Sequence, residues 1–228
     1  MVSGTLLKQM DSVHSAVLGG WVSDRRTGLP LLVTVAHLLK PRPELFARPP
    51  GAPPPPAVLE PADAYLCTAT DPAPVAQVVR MGVAHPRRQG ASLDVAVAAP
   101  LSAALVPQDG LPARCALPRV GQRVVIAGAP AGLGAGTVVI TGWRSGHYGA
   151  RNDILVAPQQ GERFSVPGMS GIWVLEEASG LPVGILVGEV TGEVTGQRPT
   201  HGASRAGHGL ACLHPIGCVL DLFELALG

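Results

Sequence analysis

The chain has 228 residues, 46% of them hydrophobic, and its 17 Lys and Arg against 16 Asp and Glu leave a formal charge of +1. That apolar content suffices for a sizeable core, in one large domain or two small ones, while the balanced and scattered charge excludes the basic footprint of a nucleic-acid or anionic-membrane partner. No apolar run approaches the roughly 20 residues that span a bilayer, and the opening MVSGTLLKQMDSVHSAVLGG lacks the apolar core of a secretion signal, so a soluble, cytoplasmic protein is expected.

Twenty-nine glycines and 23 prolines cut the chain into short pieces rich in Val, Leu, Ile and Thr, which is the pattern of an all-β protein. In chain order, strands are predicted at 15–22, 30–36, 64–69, 75–84, 93–99, 122–128, 136–143, 153–156, 171–176, 182–190 and 209–213. Residues 41–61, PRPELFARPPGAPPPPAVLEP, hold nine prolines. Proline cannot donate to a ladder, so this stretch reads as a solvated surface excursion in preference to a docking site for a proline-recognising partner. Residues 106–118 carry turn formers at mid-chain and read as a linker between two β-barrels, 1–105 and 119–228. At the C-terminus, HPIGCVLDLFELALG places Ile216, Val219, Leu220, Phe223 and Leu227 at helical spacing behind Pro215. A short helix packing its apolar face on the second barrel is expected there. The four cysteines, Cys67, Cys115, Cys212 and Cys218, are too few for a disulfide framework. Cys212 and Cys218 are close enough in sequence to pair, but reduced thiols are expected.

Ser170, in VPGMSGIWVL, is a lone hydroxyl between glycines in an apolar run. A serine nucleophile needs a base, a group that orients the base, and donors aimed at the developing oxyanion. The flanking glycines allow a tight turn with the Gly168 and Ser170 amides directed at one spot. His37 follows the apolar strand of LLVTVAHLLK beside a small alanine, and Asp94 opens an apolar strand in SLDVAVAAPL, where an unpaired charge would be costly. Taken singly, each fits a turn residue or a structural histidine. Together, in the order His37, Asp94, Ser170, they make a candidate nucleophile, base and orienting acid.

TVAHLL, SLDVAVAAPL and VPGMSGIWVL resemble the three catalytic segments of the trypsin-like, chymotrypsin-fold serine peptidases. VGQRVVIAGAPAGLGAGTVVITGWRSG, GLPVGILVGEVTG and GHGLACLHPIGCVLDLF are similar to the second barrel of the Deg (HtrA-type) branch. The resemblance covers about residues 15–40 and 75–228 in collinear order. It implies two six-stranded antiparallel barrels with the active site between them. His37 would be the general base, Asp94 the residue holding its tautomer, Ser170 the nucleophile, and the Gly168 and Ser170 amides the oxyanion hole, with no cofactor and no metal. Phe164 and Val187, Gly188 and Glu189 would contact a polypeptide substrate, the last three as an added strand. A small or apolar residue before the scissile bond is implied, although Glu189 could admit a basic group.

Four departures from the family pattern stand out. Ile172 and Trp173 occupy positions where many members have glycine and proline, adding bulk near the nucleophile. Met169 replaces the acid of digestive relatives, so activation by a freed N-terminus is not expected. No room follows residue 228 for a PDZ domain, and trimer-based regulation is not implied. His201, His208, Cys212, His214 and Cys218 cluster near the C-terminus, but their spacing matches no short zinc signature, and 191–209 reads as a loop at the cleft rim. His14, His85 and His147 receive no role. Two functions follow: a serine endopeptidase or, as the alternative, a trypsin-like fold serving as a peptide-binding or assembly module.

Overall fold

A computed structural model describes residues 5–9, 15–39, 57–82, 93–107, 112–129, 133–144, 151–159, 163–190 and 209–228. Most of the proline-rich segment, His14, His85, His147, His201, His208 and the expected rim loop over 191–208 lie outside the described residues.

The first half of the chain supplies β1 (Leu6–Gln9), β2 (Ser15–Val17), β3 (Gly20–Asp24), β4 (Pro30–Thr34), β5 (Val58–Leu59), β6 (Tyr65–Thr68), β7 (Pro74–Gly82) and β8 (Ala96–Pro100). With β15 (Leu225–Ala226) from the C-terminus these eight form an antiparallel sheet of nine strands, β5 attached to β7. The count exceeds the expected six because the short strands β1, β5 and β15 are added to β2, β3, β4, β6, β7 and β8. After β2, Leu18 N bonds to Thr5 O and Gly19 N to Val33 O, which curls the end of the sheet back toward β4. The long strand β7, PVAQVVRMG, buries Ala76 and Val78 on one face and leaves the alternate residues partly exposed, the period-2 pattern of a half-buried strand.

The second half forms a closed six-stranded barrel in the order β10 (Ala135–Arg144), β11 (Arg151–Pro158), β14 (Leu210–Pro215), β13 (Pro182–Val190), β12 (Trp173–Glu176), β9 (Arg123–Ile126). Its β13 is buried from Pro182 through Val187, as expected of an uninterrupted apolar run. Within the linker, the described residues form no strand.

Each half has its own core. Leu7, Leu18, Leu32, Leu66, Val78 and Val97 belong to the first, and Val124, Val138, Ile154, Phe164, Ile172 and Val174 to the second. The halves also exchange residues: Trp173 and Ile185 sit in the first core and Val17 in the second.

The C-terminal segment adds to the expected packing. The helix α1 (Ile216–Leu222) contacts β13 and β14 of the second barrel, and Ile216, Val219, Leu220 and Phe223 also bury themselves in the first core. The following strand β15 pairs antiparallel with β3, Leu225 opposite Asp24 and Ala226 opposite Ser23. The physical reason is that the second barrel is closed and offers no edge, whereas β3 is an edge of the first sheet with unpaired backbone groups. Polar contacts hold the segment there: Arg25 Nη2 donates to Asp221 Oδ1 at 3.1 Å, Arg80 Nη1 to Phe223 O at 2.5 Å, and Arg80 also pairs with Asp24.

Candidate active site

His37 sits in a single 3₁₀ turn, Ala36–Leu38, that ends β4. The turn buries Ala36 and Leu38 and leaves the imidazole partly exposed. Asp94 lies just before β8 and is buried, with 4% of its surface exposed. Its carboxylate accepts twice from one residue: the His37 backbone N–H reaches Oδ1 at 2.8 Å, and His37 Nδ1 lies 2.5 Å from Oδ2. With Nδ1 donating to a carboxylate, Nε2 carries the free lone pair, as a general base requires. Burial works against a charged ring, but the hydrogen bond and negative charge of Asp94 outweigh it and hold the His37 pKa above the ordinary histidine value.

Ser170 stands at the start of the second barrel's β12 region. Its carbonyl accepts from Val17 N at 2.9 Å, and Val17 O in turn accepts from the buried Thr34 Oγ1 at 2.8 Å. Gly171 follows with φ +97°, and a methyl group placed on it would lie 2.5 Å from Val17 O, 2.8 Å from Thr34 Oγ1 and 3.4 Å from Val35 N. The serine loop is therefore laid against the backbone two residues before His37, which only glycine at 171 permits. Gly168, at φ +94°, makes the turn on the other side. Among the described residues, neither the Gly168 nor the Ser170 amide has a backbone acceptor.

The Ser170 hydroxyl donates to Val187 O at 3.0 Å and makes no hydrogen bond to His37. Val187 is placed for this by a β-bulge: in the β13–β14 ladder Leu186 opposes Leu213 and Gly188 opposes Cys212, leaving Val187 as the extra residue. On its other side β13 is paired with β12 only as far as Ile185, opposite Trp173. From Val187 onward that edge has no partner strand among the described residues. A methyl group on Gly188 would meet nothing within 4 Å, so the space beside it is open. Glu189 is exposed, and Ser165 Oγ donates to its Oε1 at 3.4 Å.

Phe164 is 2% exposed and packs in the second core, where a methyl on Gly136 would lie 2.8 Å from its ring. Ile172 and Trp173 are also buried. The bulk that the sequence puts after the serine thus points inward and away from the cleft. Trp173 spans the junction of the halves and lies on the backbone of Gly19 and Gly20, so closely that a methyl on Gly20 would come within 2.5 Å of the indole.

Sequence reasoning missed one group. His214, on β14, is wholly buried; its Nε2 accepts from Asp94 N at 2.8 Å and its Nδ1 lies 2.8 Å from Asp153 Oδ1, also wholly buried. Both ring nitrogens are thereby occupied. Among the described residues no three His, Cys, Asp or Glu form a metal-sized cluster. A signal existed: Asp153 opens the apolar run NDILVA much as Asp94 opens SLDVAV.

No protein-family model matches the chain, and no curated protein matches it. Solved structures do. Thermobifida fusca protease A aligns over 99% of this chain and 97% of its own at 14% identity, with a TM-score of 0.58. Cellulomonas bogoriensis chymotrypsin aligns over 100% and 97% at 14% identity and a TM-score of 0.56. A glutamic acid specific serine protease, described as using a novel histidine triad in substrate binding, aligns over 100% of both chains at 15% identity and a TM-score of 0.58. The fold is the chymotrypsin double barrel. At these identities the likeness is one of fold. No helix among the described residues is long and apolar enough to cross a membrane.

Proposed function

We propose that the protein is a serine endopeptidase working through a Ser170, His37 and Asp94 triad, within the trypsin-like family and with its sequence resemblance directed to the Deg branch. The observation that carries this reading is the double contact of His37, through its backbone N–H and Nδ1, with the buried Asp94 carboxylate. It fixes the imidazole with Nε2 free at the same junction that holds the serine loop.

In this mechanism Ser170 Oγ attacks the substrate carbonyl carbon while its proton passes to His37 Nε2. The Gly168 and Ser170 amides donate to the resulting oxyanion. The C–N bond breaks as His37 returns the proton to the leaving amine, giving the acyl-enzyme. Water then attacks the ester by the same route, its proton passing through His37 to Ser170, and the acid product leaves. No cofactor takes part. The edge of β13 from Val187 onward, without a partner strand among the described residues, suits an extended peptide added as a strand, with backbone groups of Val187, Gly188 and Glu189 as its partners. The open space at Gly188 supports a small or apolar residue before the scissile bond, whereas Phe164, expected to contact the substrate, is buried in the second core and lends no support. None of the four cysteines is in a disulfide, which fits the reading of a reducing cytoplasm.

One observation favours a second reading, a peptide-binding or assembly module with little turnover: the Ser170 hydroxyl rests on Val187 O and not on His37. The two readings differ in whether the Ser170 hydroxyl passes its proton to His37. A fluorophosphonate probe decides between them. The intact protein should be labelled and Ser170→Ala should not; equal labelling of the two removes Ser170 as the nucleophile.

A further inference from the structure

We propose that His214, held by Asp153, is a positioning residue for the triad: it grips the Asp94 peptide unit from the second barrel and so sets the carboxylate that orients His37. The inference rests on the proteolytic reading for its functional meaning, but its geometry stands apart from it.

A backbone amide can only donate, so His214 Nε2, 2.8 Å from Asp94 N, must be the acceptor. Nδ1 therefore carries the proton and donates to Asp153 Oδ1 at 2.8 Å. The second oxygen of Asp153 accepts from Cys212 Sγ at 3.6 Å. Burial, and then the charge of Asp153, push the Cys212 thiol well above its ordinary pKa, which keeps its proton in place to donate. The result is a connected chain in which Cys212 and His214 both donate to Asp153, the Asp94 amide donates to His214, and the Asp94 carboxylate accepts from His37. The titratable groups facing His214 are Asp153 and Asp94, with Cys212 behind.

Three features argue for positioning beyond plugging a cavity. The chain crosses from β11 and β14 of the second barrel to the segment before β8 in the first sheet, so it ties His37 and Asp94 to the half that carries Ser170. It ends on the backbone of the very residue whose two oxygens hold His37. It also runs through an apolar interior, where packed apolar side chains avoid the desolvation cost that buried polar groups carry, so the polar arrangement gives placement more than stability. Asp153 has the role toward His214 that Asp94 has toward His37: it selects the tautomer that leaves Nε2 as an acceptor.

The test compares His214→Leu, His214→Gln and Asp153→Asn with the intact protein by two readouts. The first is NMR titration of His37, assigned with His37→Ala, together with the shift of its Nδ1 proton. The second is the rate of fluorophosphonate labelling at Ser170. His214→Leu removes the acceptor, and Asp153→Asn releases the tautomer while keeping the shape. In both, the His37 pKa should fall toward the ordinary value, the Nδ1 proton should move upfield, and labelling should slow about 10–100-fold, the range typical of lost outer partners. His214→Gln offers an oxygen near the Nε2 position and should recover most of both signals. An unchanged His37 titration in folded His214→Leu or Asp153→Asn overturns the proposal, and if the leucine variant fails to fold, Asp153→Asn and His214→Gln still decide. Absence of labelling in the intact protein would defeat the proteolytic reading alone, because the His37 titration is read without turnover.

Discussion

The amide of Val17 donates to the carbonyl of Ser170 at 2.9 Å. The peptide unit of the candidate nucleophile is thus bonded to the half of the chain that carries the base, and the carbonyl of Val17 receives Thr34 Oγ1. The geometry of the candidate site is a property of the junction between the two halves.

Asp94→Asn preserves shape and the backbone bond to His214 while weakening the hold on the His37 tautomer. A fall in kcat of about 10⁴-fold is expected, the size of effect found for the same replacement in this fold. Unfolding by denaturant should move little, since the packing around residue 94 is kept. Peptide hydrolysis and a urea titration check the two halves of the statement.

The pH dependences of activity and stability should run in opposite directions. Folded His37 has its pKa raised, because Asp94 outweighs burial. Its contact therefore stabilises the fold fully below the unfolded value of about 6.5 and ceases to do so as pH rises through the higher folded value. Labelling of Ser170 needs neutral Nε2 and should climb over that same interval. A rate profile and a thermal-melting series across it, each compared with Asp94→Asn, make the check.

Trp173→Ala should destabilise by about 3–5 kcal/mol, the range for emptying a large aromatic site. The indole is 5% exposed and fills the first core from a strand of the second barrel. Because it also lies on Gly19 and Gly20, two and three residues past Val17, labelling at Ser170 should drop with it. Equilibrium unfolding gives the first number and probe kinetics the second.

Two glycines of the serine loop should respond differently to alanine. Both have positive φ, which costs a side chain about 1–3 kcal/mol. At Gly168 a methyl meets nothing within 4 Å, whereas at Gly171 it collides with Val17 O and Thr34 Oγ1. Gly171→Ala should therefore lose clearly more stability than Gly168→Ala, although both should slow labelling. Parallel denaturant titrations of the two variants decide it.

Much of this arrangement was legible in the sequence because its signals are local. A histidine after an apolar strand, an aspartate opening another and a serine between glycines can be read without knowing what each touches; their partnership is what the family resemblance implies, and the structure brings His37 and Asp94 into contact. Strand alternation was equally visible in β7, as was the unbroken apolar run of β13. What escaped depends on distance along the chain. Residues 15–22 read as one strand, yet the structure breaks it at Leu18 and Gly19, where Trp173 presses on the backbone from far downstream. The short strands β1 and β15 carry too few residues for a period. His214 resembled one more member of a histidine and cysteine cluster, because Asp153 and the Asp94 amide lie 61 and 120 positions away. The helix α1 has the expected apolar face, but periodicity does not say which core will receive it.

Ser23 Oγ donates to Ala226 O across 203 positions, and this pairing bears on how the chain is made. Synthesis proceeds from the N-terminus, so the first sheet to emerge from the ribosome must wait for residues 223–226 before its β3 edge is covered and Phe223 fills its interior. The grip of His214 on Asp94 arrives nearly as late. A nascent chain would carry His37 and Asp94 long before either is locked in place, and under the proteolytic reading the triad would be set only after the segment through residue 226 has been made.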